Sequence, residues 1–364
     1  MPDTPPTRPR NPPDGRSVDR RVSLVRRSAG RSPVARTSTV GAVATAAALV
    51  PDRFGRARFP FVALAALRPH MTATAFAAAA VLAAHPRTRP LAAGIGSAAL
   101  ANAAALGTRA RRDRRGGGSA AENAPSGRSR AVEPLGTGVT ELTVLAANVL
   151  VGRADTGALA TVLERERPDL VSLPEAGPDY RDKLLPLVAE LGYQAWASTA
   201  PGTSDGEGVV LLAAARMGAL TVTSGREMRH RYLRATGGAL GERSFFAVHP
   251  EAPMGPTRTA RWESDLAHIA RWCAESPGPI VAGDFNATSD NTAFRAVLRH
   301  GRSAADGTGQ GLVGTFPAGV PSWCGIQIDH VLVPPGARTT RFAVLPVAGS
   351  DHRAVLAAIS LPTG

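Results

Sequence analysis

The chain has 364 residues, with 42 basic against 29 acidic side chains and a formal net charge of +13. The excess sits at one end: residues 1–139 carry 22 arginines against 7 carboxylates, and residues 140–364 carry 20 basic against 22 acidic groups. The near-neutral C-terminal part lacks the charge expected of a domain that grips a polyanion, and two cysteines, Cys273 and Cys324, exclude a disulfide framework or a cysteine-rich zinc site.

Residues 1–36 are rich in Arg, Pro and Ser, without apolar periodicity, and read as a disordered basic tail. Three Ala-heavy apolar segments follow, at 37–50, 59–84 (interrupted by Arg68-Pro69-His70) and 91–106. A membrane span needs roughly 20 apolar residues. The first and third are short, so a soluble helical hairpin competes. The near absence of charge within them, and the arginine clusters that flank them, favour a membrane anchor of two to three transmembrane helices over 37–108. That reading makes the chain a multi-pass protein of the cell membrane, with its C-terminal domain outside the cytoplasm. Residues 109–139, with Gly116-Gly117-Gly118-Ser119, read as a flexible linker.

A globular domain is predicted over 140–364, long enough to bury a sizeable core. Strand-like apolar runs fall at 142–149, 170–173, 209–213, 219–223, 245–248, 280–282, 327–333, 342–347 and 354–360. Helical spacing covers 156–166, stopped by Arg167-Pro168, and 180–191, closed by Gly192. A longer amphipathic helix over 258–273 places Trp262, Leu266, Ile269 and Trp272 on one face and buries Cys273.

Polar residues recur where these runs end. Asn148 closes the first strand and Glu175 follows the second in Leu173-Pro174-Glu175. His249 ends the run at 245–248. Gly283-Asp284-Phe285-Asn286 follows the strand at 280–282; if the extended backbone persists, Asp284 and Asn286 face the same side. Asp329 lies inside an apolar strand, where a carboxylate is costly unless paired. Its most useful partner is the imidazole of His352 in Ser350-Asp351-His352, whose tautomer it would fix. Carboxylates at strand ends suit a hard cation, and a histidine beside them suits activation of water. Each position alone is equally a turn or a cap.

Taken together, in this order and spacing, Asn148, Glu175, His249, Asp284, Asn286, Asp329, Asp351 and His352 make the domain resemble the endonuclease/exonuclease/phosphatase, or DNase I-like, superfamily over residues 140–361. The resemblance implies a four-layer α/β (α+β) sandwich, two packed mixed or antiparallel β-sheets flanked by helices. It implies Mg²⁺, with Mn²⁺ as an alternative, on Glu175 with Asn148 and Asp351. Asp284 and Asn286 would contact water and phosphate, and His249 a phosphate oxygen or the leaving group. Asp329 and His352 would form the base pair. Three apolar segments ahead of such a domain also look like membrane-bound bacterial members. Two departures stand out. Abasic-site repair nucleases carry Asp where this chain has Leu150, and often Tyr where it has His249. Glu207 is the nearest candidate for an acid behind the middle histidine.

The expected activity is hydrolysis of a phosphate ester, a small molecule or lipid headgroup, by a membrane-tethered enzyme; no protein partner is indicated. One alternative is an endonuclease acting on nucleic acid, for which Arg226, Arg229, Arg231 and Arg234 with Tyr232 form the densest basic run. The other is an inactive membrane-anchored binding domain.

Overall fold

The computed structural model describes residues 58–116 and 139–362. The basic tail, the first apolar segment and residues 117–138 of the expected linker lie outside the described residues.

Helices α1 (Phe61–Ala66), α2 (Arg68–Ala83) and α3 (Arg89–Gly116) come first. The expected membrane anchor is overturned here: no helix among the described residues is long and apolar enough to cross a membrane. The 16 residues of α2 reach about 24 Å at 1.5 Å per residue, short of a hydrocarbon core of about 30 Å. In α3 the final turns carry Arg109, Arg111, Arg112, Arg114 and Arg115, and alanine adds little hydropathy to either. The multi-pass membrane location therefore falls, and transmembrane helices leave the fold expectation. Between α2 and α3, the buried Asn102 amide donates to Thr72 Oγ1 at 3.1 Å and its oxygen accepts from Arg68 Nε at 2.9 Å. The start of this arm packs on the following domain. Val62 is buried beside Trp262, Phe285 and Phe294, and its carbonyl accepts from the buried Asn291 amide at 2.8 Å.

The domain continues with β1 (Val139–Ala146), α4 (Thr156–Glu166), β2 (Leu170–Pro174), α5 (Pro178–Leu184), β3 (Gln194–Ala197), β4 (Val209–Ala213), β5 (Leu220–Gly225), β6 (Tyr232–Gly237) and β7 (Ser244–Val248). It ends with α6 (Pro256–Cys273), β8 (Ile280–Asp284), α7 (Thr292–Val297), β9 (Arg302–Ser303), β10 (Asp329–Val333), β11 (Arg338–Pro346) and β12 (Arg353–Pro362). One sheet runs β11-β12-β1-β2-β4-β3, the other β5-β6-β7-β8-β10-β9. Among the described residues each sheet is antiparallel except for one parallel pair, β1 with β2 and β7 with β8. A parallel pair needs a crossover; α4 and α6 supply the two.

Period-2 alternation sorts the strand residues into layers. Leu142, Val144 and Ala146 of β1 meet Phe245, Ala247, Ile280 and Ala282 of the second sheet in the core between the sheets. Leu145 faces Leu159 and Leu163 of α4 on the outer side. Val281 and Phe285 face Trp262, Leu266 and Ile269 of α6 on the other. The result is the four-layer order helix, sheet, sheet, helix. Both faces of the central strands are covered, which is why they read as unbroken apolar runs.

The helix expected at 180–191 is two pieces, α5 and a 3₁₀ segment Leu185–Leu191, closed by Gly192 at φ 62°. Both cysteines are free.

Close approach of β7 and β8 requires a glycine. A Cβ on Gly283 would lie 1.9 Å from the Val248 carbonyl oxygen. Gly283→Ala is expected to destabilise the domain by about 3 kcal/mol, the upper range for overpacking. Urea unfolding reads this directly, and an unchanged midpoint would mean that the two strands part freely.

Candidate active site

The polar residues gather where strands from both sheets end. Asn148 follows β1, Glu175 follows β2 and His352 precedes β12 in the first sheet. His249 follows β7, Asp284 closes β8 and Asp329 opens β10 in the second. Asp329 and Asp284 are register partners. The turns that present these groups hold non-glycine residues at positive φ: Leu150 (50°), Val151 (52°), Glu175 (60°) and Asn286 (50°). Each such conformation costs of order 1–3 kcal/mol and persists only under outside restraint. Here the Val151 amide donates to Glu175 Oε2 at 2.8 Å, the Gly152 amide to the Glu175 carbonyl at 3.0 Å, and the Glu175 amide to the Gly208 carbonyl at 3.0 Å.

Asn148 is the hub. Its Nδ2 donates to Glu175 Oε1 and to Asp284 Oδ2, both at 3.0 Å, and its Oδ1 accepts from the Leu150 amide at 2.9 Å. His249 Nε2 lies 3.8 Å from each of those carboxylate oxygens. His352 Nδ1 is hydrogen-bonded to Asp329 Oδ2 at 2.9 Å, and its Nε2 faces Asp284 Oδ2 across 3.8 Å. Asp284, Asp329 and His352 are all buried and close enough to share one ion. Glu175 retains 20% side-chain exposure and marks the opening.

Buried charge sets the protonation. Burial opposes charge on His352, but Asp329 and Asp284 outweigh it and raise the imidazole pKa to about 10. Burial pushes Asp284 up against the lowering pull of His352. Burial also lowers His249, against Asp284, so that ring is neutral near pH 7. Two facing carboxylates are thus bridged by one cationic imidazole. The folded pKa of His352 lies above the unfolded value of about 6.5, so its stabilisation is complete below that pH and is lost as pH rises through about 10. In EDTA, the stability advantage of wild type over His352→Ala is expected to shrink across that window. A pH-independent difference in urea unfolding would contradict it.

The model of the endonuclease/exonuclease/phosphatase family matches residues 145–352, which span every one of these groups but none of the N-terminal helices. The chain belongs to the endonuclease/exonuclease/phosphatase family. Members of this family are hydrolases of phosphoester bonds. Solved structures with a similar fold include an endonuclease/exonuclease/phosphatase family protein from Bacteroides thetaiotaomicron, at 15% identity and TM-score 0.47, covering 62% of this chain and 99% of that one. Humanized D. rerio TDP2 aligns at 16% identity and TM-score 0.49, over 60% and 98% of the two chains. A mannosyl-6-phosphatase from B. thetaiotaomicron aligns at 14% identity and TM-score 0.45, over 60% and 99%. No curated protein matches in sequence.

The expected residues fall into two groups. Asn148, Glu175, His249, Asp284, Asp329 and His352 converge. Asn286 and Asp351 are placed differently. The strand stops at Asp284, and Asn286 turns to φ 50°. Its amide donates to the Pro250 carbonyl at 3.1 Å and its backbone N–H to Asp284 Oδ1 at 2.8 Å. It therefore braces Asp284 instead of sharing its outlook. Asp351 is 43% exposed at the rim, with Oδ1 4.0 Å from His352 Nε2.

Several supports were not evident in the sequence. Ser350 Oγ donates to the Asn148 carbonyl at 2.7 Å and accepts from the His352 amide at 3.0 Å. Thr315 Oγ1 accepts from the amides of Ile328 and Asp329. The Phe316 ring packs 4.9 Å from that of His352. Arg353 ties down the Phe316 loop through the carbonyls of Gly314, Pro317 and Ala318.

Two members of the basic run expected to serve an endonuclease, Tyr232 and Arg234, are engaged within the fold, while Arg226 and Arg229 are exposed. Tyr232 is buried, with its hydroxyl on Glu227 Oε2 at 2.9 Å and its ring 4.6 Å from Trp272. Arg234 donates to Ser244 Oγ and lies over Phe246. Glu207 faces Arg229 at 4.0 Å.

Proposed function

We propose that this chain is a divalent-metal-dependent phosphohydrolase acting on a phosphodiester or phosphomonoester of a small molecule. The observation that carries the reading is the buried His352–Asp329 pair at 2.9 Å, aimed across 3.8 Å at a carboxylate that shares one amide with Glu175.

The donor set fits a hard cation. Glu175 and Asp284 bring carboxylate oxygens to one point, and burial has left Asp284 short of compensating charge. Glu175 and Asp284 would hold Mg²⁺ or Mn²⁺, with Asn148 keeping the two carboxylates together and Asp351 at the rim. The bound ion would supply positive charge beside the phosphoryl oxygens and relieve the carboxylate field that raises His352.

The remaining work belongs to the chain. Asp329 accepts a hydrogen bond from the Nδ1–H of His352 and holds that tautomer, so that, once the carboxylate field is relieved, the deprotonated Nε2 can take a proton from the attacking water. His249, neutral and aimed by its own Nε2 at the same point, donates a hydrogen bond to a phosphate oxygen. The near-neutral charge of residues 140–364 favours a small ester over a polyanion. An inactive binding domain would bear the cost of two facing buried carboxylates without using them.

The test is hydrolysis of a generic aryl phosphodiester by the full chain. Turnover is expected with Mg²⁺ or Mn²⁺, to vanish in EDTA and to return when the metal is restored. Turnover indifferent to EDTA would sink the metal-dependent reading.

A further inference from the structure

Two histidines face the cluster, and they are braced differently. A working imidazole is usually oriented through its second nitrogen, by a carboxylate or a carbonyl. His352 follows this pattern through Asp329. His249 does not: its Nδ1 is buried and has no hydrogen-bond partner among the described residues. What it has is a flat neighbour. The His230 ring stacks on it, with centroids 4.8 Å apart and planes 14° from parallel. The Nδ1 of His230 is buried and without a hydrogen-bond partner among the described residues too, so no competing bond from them draws that nitrogen away.

The stack is held from outside. Asp265, buried on α6, accepts the Arg229 amide on one oxygen at 3.0 Å and the Glu251 amide on the other at 2.9 Å. One carboxylate thereby pins the residue before His230 and the second residue after His249. Burial, with His249 adding to it, lowers the His230 pKa to about 4. The plate is neutral near pH 7 and places no charge behind its partner.

We propose that His230 is a positioning residue: its stacked imidazole fixes the plane of the His249 ring, replacing the hydrogen bond that His249 Nδ1 lacks. This rests on the reading of His249 as a phosphate contact. It makes a specific demand. A flat ring at position 230 is required, and its nitrogens are not.

The experiment uses the full chain with Mg²⁺ and a generic aryl phosphodiester, comparing wild type with His230→Leu, His230→Phe and His249→Ala, each checked by thermal unfolding. Leucine at 230 is expected to lower kcat about ten- to a hundredfold, the usual cost of losing a support behind a functional group, with KM little changed. Phenylalanine is expected to restore kcat. Imidazole NMR of the metal-free chain gives a second reading: the His249 ring signal is single in wild type and His230→Phe, and broadened or split in His230→Leu. Should the leucine variant not fold, His230→Met takes its place.

A wild-type chain without turnover, or His249→Ala as fast as wild type, overturns the underlying reading, while the ring spectra still decide the stacking. An impaired His249→Ala beside a fully active His230→Leu overturns the role of His230 alone. So does a phenylalanine variant as slow as the leucine one, or a loss confined to KM.

Discussion

Alanine at position 352 is expected to lower kcat for phosphoester hydrolysis by about 10²–10⁴-fold, the usual contribution of a positioned general base, while the domain stays folded. In the proposed mechanism the imidazole takes the proton beside Asp284; its Nδ1 is committed to Asp329 and its Nε2 lies 3.8 Å from Asp284 Oδ2. Folding should survive because the Phe316 loop keeps its anchors on Arg353. The loss should fall on kcat and leave metal affinity nearly intact, since Glu175 is untouched. Steady-state kinetics with Mg²⁺ titration separates the two. Wild-type turnover in His352→Ala would remove the base from the mechanism. A normal kcat with a much weakened metal response would instead make His352 a ligand, as its closeness to Asp284 and Asp329 allows.

Asn at position 329 is expected to cost as much or more. Amidation keeps the shape of the side chain but lets an N–H face the imidazole, which favours the wrong tautomer. Where an Asp that orients a catalytic imidazole has been amidated, kcat falls on the order of 10⁴-fold. The distinguishing readout is the pH profile. Asp329 is a cause of the raised His352 pKa, after burial, which opposes it. The basic group titrated in the metal-free Asp329→Asn chain should therefore lie below that of wild type. NMR titration of His352 measures it; a His352 pKa unchanged in the variant would show that the pair is not electrostatically coupled.

Much of the fold was readable because burial on both faces leaves long apolar runs. The strand at 209–213 and the helix at 156–166 match the structure residue for residue, and in the helix Asp155 caps one end and Arg167 turns left-handed at the other. Strands with a weaker pattern escaped. In β6, Arg234 and Thr236 alternate with the buried Leu233 and Ala235, and the arginines around them mask that apolar alternation, so no strand was predicted there. β3 lies at a sheet edge with an exposed or half-buried face throughout. The N-terminal helices misled because alanine lacks charge without being strongly apolar.

At the site, strand-end carboxylates and histidines were legible because nothing in an apolar strand calls for them. What escaped was local backbone sign and tertiary choice of partner. Asn286 was expected to share the outlook of Asp284, yet Asn is among the residues that tolerate a left-handed turn, and its φ of 50° ends the alternation. The residue type carried that hint. No spacing rule links His230 to His249, because their stacking depends on how two separate turns meet.

The His352–Asp329 hydrogen bond joins groups that belong to different sheets. It is in effect a latch across the sandwich. Its length depends on the two layers keeping their relative position, whereas the strands are ladder-bonded within each sheet. Mild urea or hydrostatic pressure that lets one layer slide on the other should silence the enzyme while far-ultraviolet circular dichroism still reports intact strands. Catalysis would then serve as a gauge of how well the two layers fit.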